Sequence, residues 1–181
     1  MRRKIENELI KWKHQQMRLP LLIRGARQVG KTYAVENFGK DHFEHLVLIN
    51  LEQNPEYINC FNTLDPQNII AKIEILKGKE IKIGKTLLFI DEIQESSNAV
   101  LALRYFKEQM PDLHVIGAGS LLEFILNDEK FRMPVGRIQF LHMFPMSFLE
   151  FIEALGYSKV IEYLEKVNLK NKIDNDIHEK C

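Results

Sequence analysis

Apolar residues in this chain fall into short unbroken runs, separated by stretches in which they recur every three or four positions. Leu21–Arg24, Leu46-Val47-Leu48-Ile49 ending near Asn50, Thr86-Leu87-Leu88-Phe89-Ile90-Asp91-Glu92 and Leu113-His114-Val115-Ile116-Gly117, each built on such a run, read as strands. Arg137-Ile138-Gln139-Phe140-Leu141 reads as a fifth. Ile5, Leu9 and Trp12 recur at i, i+4, i+7 and predict an opening helix. Tyr33–Phe38 predicts another, ending at Gly39. Two helices are expected between the second and third strands, parted by Thr63-Leu64-Asp65-Pro66. The later one carries Ile69, Ile70, Ile73 and Leu76 on one face. A helix burying Ala99, Ala102, Leu103, Phe106 and Met110 should stop at Pro111. Ser147 with Glu150 three residues on is a capping-box signature for a helix with Phe148, Phe151, Ile152 and Leu155 as its apolar face. Gly156 breaks that helix. A short one is expected from Ser158 to about Asn168, before a polar tail, Lys170–Cys181, that should fray. Strands alternating with helices predict an α/β fold, a parallel sheet covered on both faces. The pattern divides into an N-terminal helix (1–17), a core (18–156) and a C-terminal extension (157–181), without internal repeats.

Bulk properties narrow the class further. A length of 181 residues suits one domain with a substantial core. Formal net charge is zero, so no global field points to nucleic acid or an acidic membrane surface. The two cysteines, Cys60 and Cys181, lack metal or disulfide-framework spacing. No long apolar stretch follows the charged Arg2-Arg3-Lys4 start, so a soluble cytoplasmic protein without membrane contact is expected.

The chemistry enters at residues 25–32, Gly25-Ala26-Arg27-Gln28-Val29-Gly30-Lys31-Thr32, which fit G-x-x-x-x-G-K-[ST] at every fixed position. Glycines at that spacing let the backbone curl so that consecutive N–H groups face phosphate oxygens. Lys31 adds charge at the β/γ-phosphates, and Thr32 offers a hydroxyl to Mg²⁺. The order strand, loop, helix is the one this motif requires. The nucleotide-binding set is therefore Gly25 to Thr32 together with Tyr33, which opens the helix beyond.

A second element, Leu87-Leu88-Phe89-Ile90-Asp91-Glu92, is a buried strand ending in two acids. Asp91 is placed to support the metal beside Thr32. Glu92 could align or deprotonate a water. Ser120, at the end of Val115-Ile116-Gly117-Ala118-Gly119, could sense the γ-phosphate, or could cap a helix in a box with Glu123. Arg137 could neutralise charge on a transferring phosphoryl group, from its own chain or a neighbour, or could be a solvated residue at a strand start. Arg24 and Arg27 are weaker candidates for the same task. Lysines 77, 79, 82 and 85 could meet nucleic-acid phosphates, but a solvated connection explains them more simply. His42 and His45 lack further ligands of zinc-site spacing.

Residues 18–32 and Leu88-Phe89-Ile90-Asp91-Glu92-Ile93-Gln94, with Gly119-Ser120, Val135-Gly136-Arg137 and Phe144-Pro145-Met146-Ser147-Phe148-Leu149-Glu150-Phe151 in the same order, resemble the prokaryotic AAA-family ATPases of the extended AAA+ class. The likeness runs from Arg18 to about Glu153. It implies a P-loop NTPase three-layer α/β/α sandwich with a five-stranded parallel sheet ordered 5-1-4-3-2. It implies ATP and Mg²⁺ held by Lys31 and Thr32, Asp91 supporting the metal and Glu92 activating water. Ser120 would match a polar sensor and Arg137 the glycine-arginine pair. Relatives usually continue into a further domain, sometimes nuclease-like, whereas this sequence stops soon after the core.

The leading expectation is an enzyme hydrolysing ATP to ADP and phosphate, completed by a protein partner or by self-association. One alternative is a nucleotide-dependent protein-interaction switch with little hydrolysis. Another is a nucleic-acid-associated ATPase, supported only by the local lysines.

Overall fold

The computed structural model describes residues 3–120 and 136–164. Five strands form one sheet: β1 (Leu21–Arg24), β2 (His45–Asn50), β3 (Thr86–Asp91), β4 (His114–Gly119) and β5 (Gln139–His142). Their order is β2-β3-β4-β1-β5, and every neighbouring pair is parallel. This is the 5-1-4-3-2 order that the resemblance implies. Six α-helices complete the described fold: α1 (Lys4–Lys13), α2 (Lys31–His42), α3 (Pro66–Lys77), α4 (Ser97–Gln109), α5 (Phe148–Ala154) and α6 (Ser158–Leu164).

The unbroken apolar runs have a direct physical consequence. Successive side chains of a strand point to opposite faces, so a run without polar gaps supplies two cores at once. Leu22, Val47, Ile49, Leu88, Ile90 and Val115 pack on one face against α3, α4 and the 3-10 helix Pro55–Thr63. Leu21, Ile23, Leu87, Phe89, Ile116 and Ala118 pack on the other against α1 and α2. Three layers result. Gly117 faces the first core, where an added Cβ would lie 2.7 Å from Ile93 and 3.1 Å from Leu22. The opening helix is part of this core, since Leu9 and Trp12 are fully buried and the Trp12 indole donates to the Leu19 carbonyl.

Several expectations change at element ends. The first of the two helices before β3 is 3-10, with proline at its start. β5 begins at Gln139 rather than Arg137, because its ladder starts where the Gln139 N–H meets the Pro20 carbonyl at 2.9 Å. On α3, Ile69, Ile70 and Ile73 are buried but Leu76 is exposed, and Met110 is only partly buried. The apolar face of α5 is the largest departure. Only Ile152 is buried, while Phe148, Phe151 and Leu155 are each about half exposed. That helix is fixed through its N-terminal cap, with Ser147 and Glu150 making the expected reciprocal hydrogen bonds. α6 is described from Ser158 to Leu164. The expected frayed tail and the Ser120–Glu123 box fall wholly or partly outside the described residues.

No helix among the described residues is long and apolar enough to cross a membrane. The lysine-rich connection before β3 is held locally: Lys82 pairs with Glu80, Lys85 with Glu44, and Lys77 lies over the Tyr57 ring.

His114 opens β4 between the rings of Trp12 and Phe43, at centroid distances of 5.8 and 4.8 Å. Burial, reinforced by the positive Arg18 and Lys13, depresses it to about 4 from an ordinary value of 6.5. The unfolded chain therefore takes up this proton first as pH falls. Stability should be full above about pH 6.5, decline towards about pH 4 and gain no further loss from this residue below that. Thermal midpoints across that window should drop less in His114→Phe than in the parent chain.

Candidate nucleotide site

The loop between β1 and α2 leaves the carboxyl edge of the sheet, where parallel strands all end on the same side. Its shape depends on two left-handed residues, Gln28 at φ 63° and Gly30 at φ 90°. Gly25 is required by close approach. A Cβ there would sit 2.2 Å from the Met143 carbonyl oxygen, and Met143 is itself tied to β1 by its N–H to the Arg24 carbonyl at 2.8 Å. Lys31 is buried, with Nζ donating to the Gly25 and Ala26 carbonyls at 2.9 and 2.8 Å. Its ammonium thus lies against the loop's own backbone. Burial lowers its pKa, and the nearby Glu92 and Asp91 charges oppose that shift.

Asp91 ends β3 and is 2% exposed. The Thr32 hydroxyl donates to Asp91 Oδ2 at 2.8 Å, joining the loop to the strand end. Asn50 Nδ2 donates to the same oxygen at 3.2 Å. Asp91 Oδ1 is buried and has no hydrogen-bond partner among the described residues. Burial pushes this carboxyl above its ordinary range, against hydrogen bonds from Thr32, the Glu92 backbone and Asn50. An acid held in this condition, with one oxygen unsatisfied beside a threonine hydroxyl, fits a divalent cation, whose charge would restore the ionised form. No group of three or more His, Cys, Asp or Glu among the described residues could hold a metal by itself.

Glu92 follows in left-handed backbone at φ 48°, a conformation costing about 1–3 kcal/mol in a non-glycine residue. The bend turns it out of the sheet into the cleft, where Gln94 Nε2 donates to its Oε2 at 2.6 Å. Arg27, Gln28, Gly30, Lys31, Thr32, Tyr33, Glu52 and Glu92 line a cleft of about 370 Å³.

The remaining predicted residues divide. Ser120 lies one residue past β4, next to β1 in the sheet, and its hydroxyl is buried without a partner among the described residues. Arg24 closes β1, with its guanidinium 5.5 Å from the Phe140 ring. Arg137 is not brought to the site. It precedes β5 at the amino edge of the sheet, the opposite edge from the loop. There it is half exposed and 3.6 Å from Glu108.

Asn50 and Gln94 join the candidate site through hydrogen bonds to Asp91 and Glu92, and no motif marks Asn50. Asn50 is found only through register, since it pairs directly with Asp91 across β2 and β3. Its Oδ1 also accepts from the Glu52 and Gln53 N–H groups at 3.1 and 2.8 Å.

A glycine-bent loop carrying Lys31 and Thr32, beside an acid-ended strand in a 5-1-4-3-2 parallel sheet, defines a P-loop nucleotide-binding protein. The model of the AAA domain family matches residues 17–152, most of the chain, and the chain belongs to that family. Among solved structures, that of C. elegans PCH-2 is similar at 14% identity with a TM-score of 0.46. The similarity covers 95% of this chain and 50% of that one, so the chain spans half the length of that protein. A search of curated protein sequences finds no match.

Asn50→Ala should remove one donor from Asp91 and leave the Glu52 and Gln53 N–H groups short of an acceptor. A cost of about 1–3 kcal/mol is expected. Thermal denaturation should register it as a fall of roughly 2–4 °C per kcal/mol.

Proposed function

We propose that this protein binds ATP with Mg²⁺ in the cleft between the phosphate loop and the end of β3, and hydrolyses it to ADP and phosphate. The observation that carries the reading is the Thr32–Asp91 hydrogen bond, with the second Asp91 oxygen buried beside it and without a partner among the described residues. Mg²⁺ at that place would neutralise charge on the β- and γ-phosphate oxygens. Gly25, Ala26, Arg27, Gln28, Val29 and Gly30 supply the backbone that cradles the phosphates. Lys31 exchanges the Gly25 and Ala26 carbonyls for phosphate oxygens, a better partner for a buried ammonium. Tyr33 lines the mouth of the cleft.

Glu92 is assigned to the attacking water. Its carboxylate, tethered by Gln94, lines the same cleft as Lys31 and Thr32 and can accept the water's proton. Ser120, whose hydroxyl has no partner among the described residues and which ends the strand next to the loop strand, is assigned to sensing the γ-phosphate or orienting water.

A second reading, a nucleotide-dependent protein-interaction switch with little turnover, draws support from Arg137. That residue pairs with Glu108 at the far edge, so a role for it in hydrolysis requires a neighbouring subunit. Local pairing of the lysines before β3 weighs against nucleic acid as the partner.

Phosphate release from Mg·ATP over a range of protein concentrations tests these readings. Glu92→Gln should retain binding while turnover falls about 10²–10⁴-fold. Lys31→Ala should lose binding itself. A rate per chain that rises with concentration would indicate a site completed by a second subunit. Binding without turnover would favour the switch.

A further inference from the structure

Arg3 stands immediately before α1, far in sequence from every motif in the site, yet it reaches the phosphate loop. Its side chain is only 10% exposed and its guanidinium makes three separate contacts. Nη1 donates to the Val29 carbonyl at 3.0 Å, Nη2 to the Phe144 carbonyl at 3.1 Å, and Nε to Glu150 Oε1 at 3.0 Å.

Glu150 belongs to the capping box of α5, which the nucleotide chemistry leaves unexplained. Its carboxylate serves more than its own helix. Oε1 also accepts from the Lys4 N–H, the first amide of α1, at 2.9 Å, while Oε2 accepts from the Ser147 N–H at 2.9 Å. Burial would raise this acid, but the hydrogen bonds from Ser147, Lys4 and Arg3 prevail and hold it at about 2. One ionised carboxylate thus fixes the starts of two helices and the orientation of a guanidinium. An arginine fork held on one tine by a carboxylate presents its others in fixed directions. The pairing also neutralises a cation that would otherwise draw phosphate towards itself.

The consequence falls on one peptide. In a planar trans peptide the N–H points opposite to the C=O. Holding the Val29 carbonyl towards Arg3 therefore directs the Gly30 N–H away from Arg3. This peptide joins Val29 to the left-handed Gly30, with the left-handed Gln28 just upstream, a stretch that could otherwise flip at little steric cost.

We infer that Arg3, oriented by Glu150, is a positioning residue for the phosphate loop, fixing the Val29–Gly30 peptide so that its N–H is presented to the nucleotide phosphates. The inference rests on the nucleotide-binding reading above. It makes the segment before α1 and the Ser147–Glu150 cap parts of the binding apparatus, although neither touches nucleotide.

The test is the affinity of a fluorescent ATP analogue with Mg²⁺, measured well below each variant's melting midpoint. Parent, Lys31→Ala, Arg3→Ala, Arg3→Lys, Glu150→Gln, Arg3→Ala/Glu150→Gln and Leu9→Ala are compared. Arg3→Ala should bind about tenfold more weakly, as loss of a charge-assisted hydrogen bond would give. Arg3→Lys, which keeps the charge without the fork, should recover little. The double variant should bind no more weakly than Arg3→Ala, because Glu150 acts through Arg3. Leu9→Ala, which loosens α1 without touching the loop, should lower the melting midpoint and leave affinity unchanged. Parent-like affinity in Arg3→Ala, with a lowered midpoint, would make the contact merely structural and overturn the inference alone. Absence of binding in the parent, or binding indifferent to Lys31→Ala, would overturn the nucleotide reading and the inference with it. If Arg3→Ala does not fold, Glu150→Gln, which preserves side-chain size, carries the same expectation, and unchanged affinity there is decisive against it.

Discussion

The hydrogen bond from Thr32 to Asp91 holds together two segments separated by 59 positions in the chain, and the site exists only where they meet. Neither residue could be brought there by local structure. Thr32 is at the start of α2 and Asp91 is the last residue of β3, two strands away from β1. The meeting requires β4 to lie between β1 and β3 in parallel register, with Leu22 opposite Gly117 and Ile90 opposite Gly117 from the other side. Gly117 serves that arrangement directly, because a side chain there would strike Ile93 and Leu22. A parallel sheet buried on both faces thus aligns its carboxyl ends, and the chemistry follows from what those ends carry.

Burial is also what gives the acid its character. Asp91 in water would be an ordinary carboxylate. At 2% exposure its pKa is raised, with the Thr32 and Asn50 side chains donating to one oxygen and the other without a partner among the described residues. Lys31 shows the complementary state, a desolvated ammonium leaning on backbone carbonyls. Each group is under-satisfied in the way the other half of a metal–phosphate complex would correct. The fold sets aside stability at these positions, and binding can draw on that reserve.

Legibility from sequence followed physical range. The inner strands could be read because burial on both faces demands apolar residues along their length, as in Leu87-Leu88-Phe89-Ile90. The loop and Asp91-Glu92 could be read because phosphate chemistry constrains residue type at fixed spacing. Asn50 could not, since its importance arises from pairing opposite Asp91 in the sheet, and register is not a local property. Arg137 showed the same limit from the other direction. Its residue type suited the chemistry, but the strand it precedes begins at the edge away from its own chain's loop, which leaves only the reading in which it serves a neighbour. Periodicity likewise identified an apolar stripe on α5 without disclosing that Phe148, Phe151 and Leu155 would remain half exposed.

The Ser147–Glu150 box illustrates how a locally correct reading can understate a residue. Capping accounts for Ser147 and for one Glu150 oxygen, and a glutamine would serve that purpose nearly as well. It does not account for the second oxygen, which takes the Lys4 amide and the Arg3 guanidinium. Serving both sets of donors takes two acceptor oxygens, which a carboxylate has and an amide lacks, because an amide nitrogen turned towards either set would face N–H groups. The choice of glutamate over glutamine is therefore set by α1 and the phosphate loop, not by α5. A helix cap has been given a second task at a distance of 147 residues, and the second carboxylate oxygen is the trace of that task in the sequence.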